Sequence, residues 1–133
     1  MRVFPFRTPR IETSLQTFVQ LQETNSGQPI SSPASATIIN ISYGGACLVV
    51  SQPILDKLHL FYDTLNNDSC NLLLRAEEAN GESENFSISA RSVWMDSCDF
   101  KGKPAFKIGI SFFRQQKELF NLIKKGNHFK LDQ

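Results

Sequence analysis

The sequence predicts an all-β domain with one helix, a small antiparallel barrel that carries the helix at its C-terminal end. Short segments with strand-like patterns, separated by turn residues, occupy the chain up to Phe113, and the residues after it have helical spacing. The chain has 133 residues, of which 41% are hydrophobic, so it is long enough for one domain with a real core. Strands followed by a single helix favour a barrel on which the helix packs.

Three strands are predicted in the N-terminal half. Residues 14–23 alternate between apolar or small side chains and glutamines, which is the period of a half-buried strand. A loop rich in Gly, Pro and Ser leads to a short strand at residues 37–41, and an apolar strand follows at residues 46–51. Residues 53–68 are ambiguous, because their apolar spacing fits a helical turn as well as an extended connection.

The C-terminal half contains two predicted hairpins. Residues 70–79 and 84–96 are long enough for two strands, and the Asn-Gly pair at residues 80–81 is a hairpin signal between them. The second hairpin is expected to turn within residues 96–103 and to return as a strand over residues 105–113.

One amphipathic helix is predicted from about Gln115 to Lys125, because its apolar residues recur at helical spacing. We expect Leu119 and Ile123 to rest on the barrel, since no other element can cover them. Gly126 follows a pair of lysines and is the predicted end of the helix.

Composition and charge exclude several classes of protein. The formal net charge of +1 argues against a broad basic face for duplex nucleic acid. The chain has no apolar run of the roughly 20 residues that span a bilayer, and its first ten residues lack the apolar core of a signal peptide. We therefore expect no membrane span and a cytoplasmic location.

The cysteines and histidines form no pattern typical of catalysis or metal binding. Cys47, Cys70 and Cys98 are far apart and include no C-x-x-C pair, which favours buried, reduced thiols over a disulfide framework or a zinc site. His59 and His128 stand alone and are expected at the surface or as caps. The sequence thus predicts neither a metal site nor an enzyme.

The segment NISYGGACLVV, residues 40–50, has a polar entry into an apolar strand and supports two interpretations. Asn40, Ser42 and Gly45 can form a simple turn, because Asn and Ser bond to nearby backbone and Gly accepts positive φ. The same residues can form a ligand ledge, since a short amide, a hydroxyl and bare backbone let a polar planar molecule or a phosphate approach the main chain.

These residues carry a resemblance to the PilZ domain family. Asn40, Ser42 and Gly45 match the family motif of Asp or Asn, any residue, Ser, any two residues and Gly, and the late segments ARSVWMD and FKIGISF resemble two of its strands. The resemblance spans nearly the whole chain. It implies a six-stranded antiparallel barrel of the split-barrel type with a C-terminal helix, organised as a flexible arm (1–12), a barrel (13–113) and the helix (114–126).

The family's second motif is a pair of arginines, Arg-x-x-x-Arg, near the start of the domain, and here the match is imperfect. Arg2 and Arg7 lie five residues apart, and Arg7 and Arg10 lie three apart. On the doubled-arginine form of the motif, Arg2 and Arg7 take the outer positions and Val3 replaces the inner arginine. The first ten residues hold three arginines and no acid, which suits a doubly negative dinucleotide.

The resemblance implies that the ligand is the bacterial second messenger cyclic di-GMP. Arginine guanidinium groups can bond phosphate or the O6 and N7 edge of guanine in a fork, and can stack on the base. By resemblance, Asn40 would bond a guanine edge, Ser42 a phosphate or guanine group, and Gly45 would allow close backbone approach. Trp94 stands where family members often place a large residue near the ligand, although a tryptophan there can also belong to the core or the barrel rim.

Two functions remain open at this point. In the first, cyclic di-GMP orders the arginine arm and thereby changes the surface shown to a protein partner that the sequence does not identify. In the second, the domain has lost its ligand and acts as an adaptor of motility, pilus or polysaccharide machinery, as the irregular arginine motif would allow. An enzyme or a general nucleic-acid binder on a small barrel lacks support from any catalytic constellation or basic face.

Overall fold

The computed structural model describes residues 10–76 and 87–131, and within them the predicted fold class is confirmed. Six antiparallel strands form a closed barrel and one helix follows them. The barrel strands are β1 (Ile11–Glu23), β2 (Ala34–Ile41), β3 (Gly45–Val50), β6 (Cys70–Ala76), β7 (Ser87–Phe100) and β8 (Lys103–Phe112). The very short strands β4 (Ile54–Leu55) and β5 (Leu58–His59) pair with each other, and the helix is α1 (Lys117–Leu131).

The barrel closes because β1 pairs with both β2 and β6, so the order around the barrel is β1, β2, β3, β8, β7 and β6. Side chains alternate between the two faces of each strand. Large aliphatic side chains from the inward faces are fully buried and form the core; among them are Leu21, Ile38, Leu48, Leu72 and Ile108. Burial of each such side chain stabilises the fold by about 1.5–3 kcal/mol.

The strand boundaries differ from the predicted ones at the N-terminal side. β1 begins at Ile11, so Ile11 and Glu12 belong to the barrel and not to the predicted arm. The pairing of Ile11 with Ile41 and of Glu12 with Asn40 holds this start of β1 against the end of β2. The Asn-Gly pair at residues 80–81 and the arginines Arg2 and Arg7 lie outside the described residues.

The ambiguous segment forms neither a helix nor a plain extended connection. Asp56 and Lys57, at φ +55° and +75°, turn β4 into β5. The turn that follows carries Leu60 and Thr64, which are both fully buried, and the Thr64 hydroxyl lies 2.7 Å from the Ser92 hydroxyl of β7. This segment therefore packs against the barrel with its own polar groups satisfied.

The second predicted hairpin is present, and its strands extend further than the sequence pattern indicated. β7 and β8 pair as far as Phe100 and Lys103, so the connection is only the two residues Lys101 and Gly102. Both have positive φ, +55° and +81°, as a type I′ turn requires.

The helix packs on the barrel as predicted, and its predicted end is wrong. Phe120 and Ile123 are buried and Leu119 is partly buried, and the Phe120 ring meets Tyr43 edge to face at 4.9 Å. Helix α1 continues past Gly126 to Leu131. A glycine inside a helix costs only about 1 kcal/mol relative to alanine, so it need not end one.

The cysteines and the described histidine have structural roles. Cys47, Cys70 and Cys98 are free thiols; Cys47 and Cys70 are buried and Cys98 is partly exposed. Burial raises the pKa of the Cys70 thiol. His59 caps its own turn, because its Nδ1 accepts hydrogen bonds from the backbone N–H groups of Phe61 and Tyr62.

The described residues contain neither a candidate metal site nor a candidate membrane-spanning helix. No three side chains of His, Cys, Asp or Glu come together there in a way that could hold a metal ion. In that same part of the chain, the structure contains no helix with the length and apolar character needed to cross a bilayer.

Candidate ligand site

A shallow pocket of about 220 Å³ opens on the outside of the barrel, where the start of β3 meets β7 and β8. The pocket brings together four of the residues that the sequence nominated as ligand-binding: Arg10, Ser42, Gly45 and Trp94. Asn40 stands beside the pocket and is connected to it through Arg10. The structure describes neither Arg2 nor Arg7, so their positions relative to this pocket stay a prediction.

The turn from Ser42 to Gly45 forms one side of the pocket, and its own hydrogen bonds stabilise it. The Ser42 N–H donates to the Gly45 carbonyl oxygen at 2.8 Å, and the Ser42 hydroxyl lies 3.4 Å from the same oxygen. Phe112 donates its N–H to the Gly44 carbonyl, which ties the turn to the end of β8. Ser42 is buried, so only a small part of its side chain is open to the pocket.

Gly45 is a glycine for a steric reason and not for its φ angle. Its backbone is not in the positive-φ region; the described glycines that are in it are Gly27 and Gly102. A Cβ atom at residue 45 would fall 2.4 Å from the carbonyl oxygen of Ile110 on β8. The missing side chain is therefore needed for the close approach of β3 to β8.

Trp94 forms the opposite side of the pocket and is not a core residue. The strand register shifts between Ser92 and Trp94, which is a β-bulge at Val93, and the indole then lies across Gly109 of β8. A Cβ atom on Gly109 would be 2.1 Å from the indole Nε1. Trp94 is 42% exposed, so part of its ring surface is open to solvent.

Arg10 reaches the pocket from the start of the described chain. Its Nη1 donates a hydrogen bond to Oδ1 of Asn40 at 3.0 Å. Asn40 is paired in the sheet with Cys47. Burial raises the pKa of the Cys47 thiol, and the positive charges of Lys107 and Arg10 act in the opposite direction. The charges of Arg10 and Lys107 therefore both act on the Cys47 thiol.

Five residues that line the pocket were not nominated from the sequence: Gly44, Ala46, Val93, Gly109 and Ile110. Val93 is 52% exposed because the bulge turns it outward. The bulge left no signal in a strand pattern that alternates only approximately. Gly109 could have been found, since a glycine inside an apolar strand often marks the close approach of another group.

Together these groups are of the kinds that can contact a planar, polar and anionic molecule. A guanidinium can form a bidentate bond to phosphate or to a guanine edge, an exposed indole can stack on a base, and the turn offers backbone and hydroxyl groups. The fold and this site define the class: a small antiparallel barrel with a polar pocket at the entry to β3 and a C-terminal helix.

Solved structures place this fold among PilZ-like domains. The chain is similar to the PilZ domain of Escherichia coli YcgR, solved with c-di-GMP, at a TM-score of 0.62 and 13% identity, covering 97% of this chain and 98% of that one. It is also similar to Borreliella burgdorferi PlzA, in complex with c-di-GMP, at a TM-score of 0.55 and 14% identity. K. pneumonia MrkH, again as a c-di-GMP complex, is similar at a TM-score of 0.52 and 16% identity.

The likeness is one of fold. The region aligned with PlzA includes 96% of this chain and 53% of PlzA. The region aligned with MrkH includes 92% of this chain and 51% of MrkH. The chain therefore spans about half the length of each of those proteins. No family model matches the sequence, and no curated protein matches it by sequence. At identities of this size the three structures establish that the chain has a PilZ-like fold.

Proposed function

We propose that this chain is a receptor module for cyclic di-GMP and not an enzyme, acting in the bacterial cytoplasm. The observation that carries the proposal is the position of Arg10, whose guanidinium is held by Asn40 beside a pocket formed by the 42–45 turn and the exposed indole of Trp94. The c-di-GMP complexes of three proteins with this fold support the same ligand.

Each pocket residue has a physical role in the proposal. Arg10 bonds a phosphate or a guanine edge, which its planar fork fits better than a lysine would. Trp94 stacks on a guanine, and base stacking on an aromatic side chain contributes about 1–3 kcal/mol. Asn40 and Ser42 bond a guanine edge or a phosphate, and Gly45 keeps the backbone accessible beside them.

The pocket in the described chain is incomplete as a site for a dinucleotide. Its 220 Å³ falls below the range of about 300–1,000 Å³ that is common for small-molecule sites. In the proposal, Arg2 and Arg7 supply the missing side when the ligand draws residues 1–9 over the pocket. That ordering changes the surface presented to a protein partner, which is how the module would signal.

Isothermal titration calorimetry with cyclic di-GMP, using GTP as the control ligand, tests the proposal. We expect saturable binding of cyclic di-GMP and none of GTP at the same concentration. Trp94→Ala should weaken binding by about ten- to hundredfold through the lost stacking. The matched control is Tyr62→Ala, which removes an aromatic side chain that is 65% exposed and away from the pocket.

The alternative is an adaptor without a ligand. The observation that favours it is Val3, which stands where the doubled-arginine motif has its inner arginine. If calorimetry detects no cyclic di-GMP binding at high micromolar concentration, the receptor proposal fails and the adaptor takes its place.

A further inference from the structure

A second concave surface lies on the same outer face of the barrel, near the β7–β8 turn. It is a groove of about 360 Å³, larger than the ligand pocket. Its floor includes Val49, Ala105 and Phe100, and its rim includes Lys101 and Lys103. We call it the hairpin groove.

Strand pairing shows that the floor faces outward. Gly109, paired with Trp94, and Ala105, paired with Cys98, lie an even number of residues apart on β8, so they share one face. Val49 and Ala105 are only 5% and 6% exposed, yet neither belongs to the core cluster inside the barrel. They form a separate apolar floor on the outside of the barrel.

The charge around the hairpin groove has one sign. Lys101 and Lys103 stand at the rim, and among the described residues that line the groove none is acidic. Asp99 is paired with Pro104 and alternates to the other face of the hairpin from Phe100 and Lys103. On the outward face Asp96 lies opposite Lys107, and it is not among the residues that line the groove.

We propose that the hairpin groove binds an acidic segment of a protein partner that inserts an apolar side chain between its lysines. The apolar floor accepts the side chain, and the lysines pair with carboxylates on either side of it. Because the barrel is closed, it leaves no strand edge for the partner to extend, so recognition acts through side chains. The inference does not depend on cyclic di-GMP.

Single-stranded nucleic acid fits this groove less well than an acidic peptide. Its binding sites combine basic residues with aromatic faces that are free to stack on bases. Here the ring of Phe100 is already covered on one side by its neighbour, because Lys101 Nζ lies 5.4 Å from the ring centroid. The side chains of Val49 and Ala105 offer no polar group to a base, while the neutral polar residues Gln16, Ser35, Thr37 and Ser51 also line the groove.

NMR titration of the full chain without cyclic di-GMP tests the proposal. The probe is an acetylated, amidated hexapeptide with two central leucines and two glutamates on each side. We expect saturable shifts of the Val49, Lys103 and Ala105 amide signals at millimolar peptide. A control peptide with serines in place of the leucines should bind at least about fivefold more weakly, because the floor then contributes nothing.

Charge reversal at the rim gives an independent measurement. The double variant Lys101→Glu and Lys103→Glu should weaken the leucine peptide by about fivefold or more. The matched control reverses Lys124 and Lys125, two exposed lysines of α1, and should leave binding unchanged.

Several results would overturn the proposal. They are the absence of saturable shifts at the groove, equal affinity for the serine and leucine peptides, and equal weakening by the helix control. An oligothymidylate that binds the same amides more tightly than the leucine peptide would assign the groove to nucleic acid instead.

Discussion

The indole of Trp94 lies so close over Gly109 that a Cβ atom at residue 109 would stand 2.1 Å from the indole Nε1 and 2.3 Å from Cε2. The bare backbone of β8 therefore forms the seat on which the tryptophan rests. This contact fixes the plane of the only tryptophan in the chain and leaves 42% of that residue exposed beside the pocket. The orientation of the Trp94 ring in the proposed site thus depends on Gly109, a residue that has no side chain of its own.

Gly109→Ala should displace the indole and weaken cyclic di-GMP binding by about tenfold, since stacking on an aromatic contributes about 1–3 kcal/mol. The displacement is visible without a ligand, because Trp94 is the sole source of tryptophan fluorescence. We expect a changed emission maximum in Gly109→Ala and an unchanged one in Gly44→Ala, where an added Cβ meets nothing within 4 Å. Identical emission spectra for the parent and Gly109→Ala would contradict the contact between the Trp94 indole and the backbone of Gly109.

Gly45→Ala should destabilise the fold, because the new Cβ would lie 2.4 Å from the Ile110 carbonyl oxygen and that oxygen is part of the β3–β8 ladder. Overpacking of this kind costs about 1–3 kcal/mol. Gly44→Ala is the neighbouring control and should stay within about 0.5 kcal/mol of the parent. Urea unfolding measures both, and equal midpoints for the two variants would show that β3 and β8 can separate at no cost.

Much of the fold could be predicted from the sequence, and the reason differs from element to element. Apolar residues alternate along β1 and recur at helical spacing around Phe120, because one face of each element is buried. These two patterns therefore predicted the strand and the helix correctly. The ends were less predictable. β7 and β8 are joined by a two-residue turn in which Lys101 has a positive φ. Lysine seldom adopts such a φ, so the sequence did not predict where these strands end.

Some residues of the candidate site could be predicted from the sequence and others could not. Asn40, Ser42 and Gly45 could be nominated because they are close in sequence, and a local turn joins Ser42 to Gly45. Arg10 lies near Asn40 because β1 pairs with β2. The Trp94 indole lies over Gly109 because of a bulge in β7. These contacts cross between strands, so a pattern within one segment carries no record of them.

His59 should make stability depend on pH. Its Nδ1 accepts two backbone N–H groups at 3.0 Å, and burial lowers the pKa of His59 while the Asp63 carboxylate acts in the opposite direction. The unfolded chain, with a histidine pKa of about 6.5, therefore binds a proton more readily than the folded chain. This contribution to stability is complete above the unfolded pKa and is lost as the pH falls through the folded pKa.

Urea midpoints at pH values from about 7 down to 5 check this dependence, a window that brackets the unfolded pKa of histidine. His59→Asn keeps an acceptor for the backbone N–H groups but has no proton to bind, so its midpoint should fall less over the same window. A parent and a His59→Asn variant with equal slopes would exclude His59 as the source.

The arginines differ in how their loss should affect cyclic di-GMP binding. Arg7 fits both spacings of the irregular motif, with Arg2 or with Arg10, so Arg7→Ala should abolish measurable binding. Arg10 is already held at the pocket by Asn40, and Arg10→Ala should weaken binding by about ten- to hundredfold, the effect of one hydrogen bond to a charged group. Arg2 lies one step from the terminus and costs more entropy to hold in place, so its loss should matter less than that of Arg7.

Lysine substitutions separate a shaped arginine site from diffuse positive charge. Arg7→Lys and Arg10→Lys keep the charge but lose the planar fork and the stacking face, so both should bind cyclic di-GMP much more weakly than the parent. Diffuse attraction would instead give lysine variants of parental affinity, with binding that falls steeply as salt is added. Calorimetry at low and at physiological ionic strength distinguishes the two. Parental affinity in both lysine variants would rule out guanidinium recognition in the proposed site, while a loss confined to Arg7→Lys would leave Arg10 as a source of charge alone.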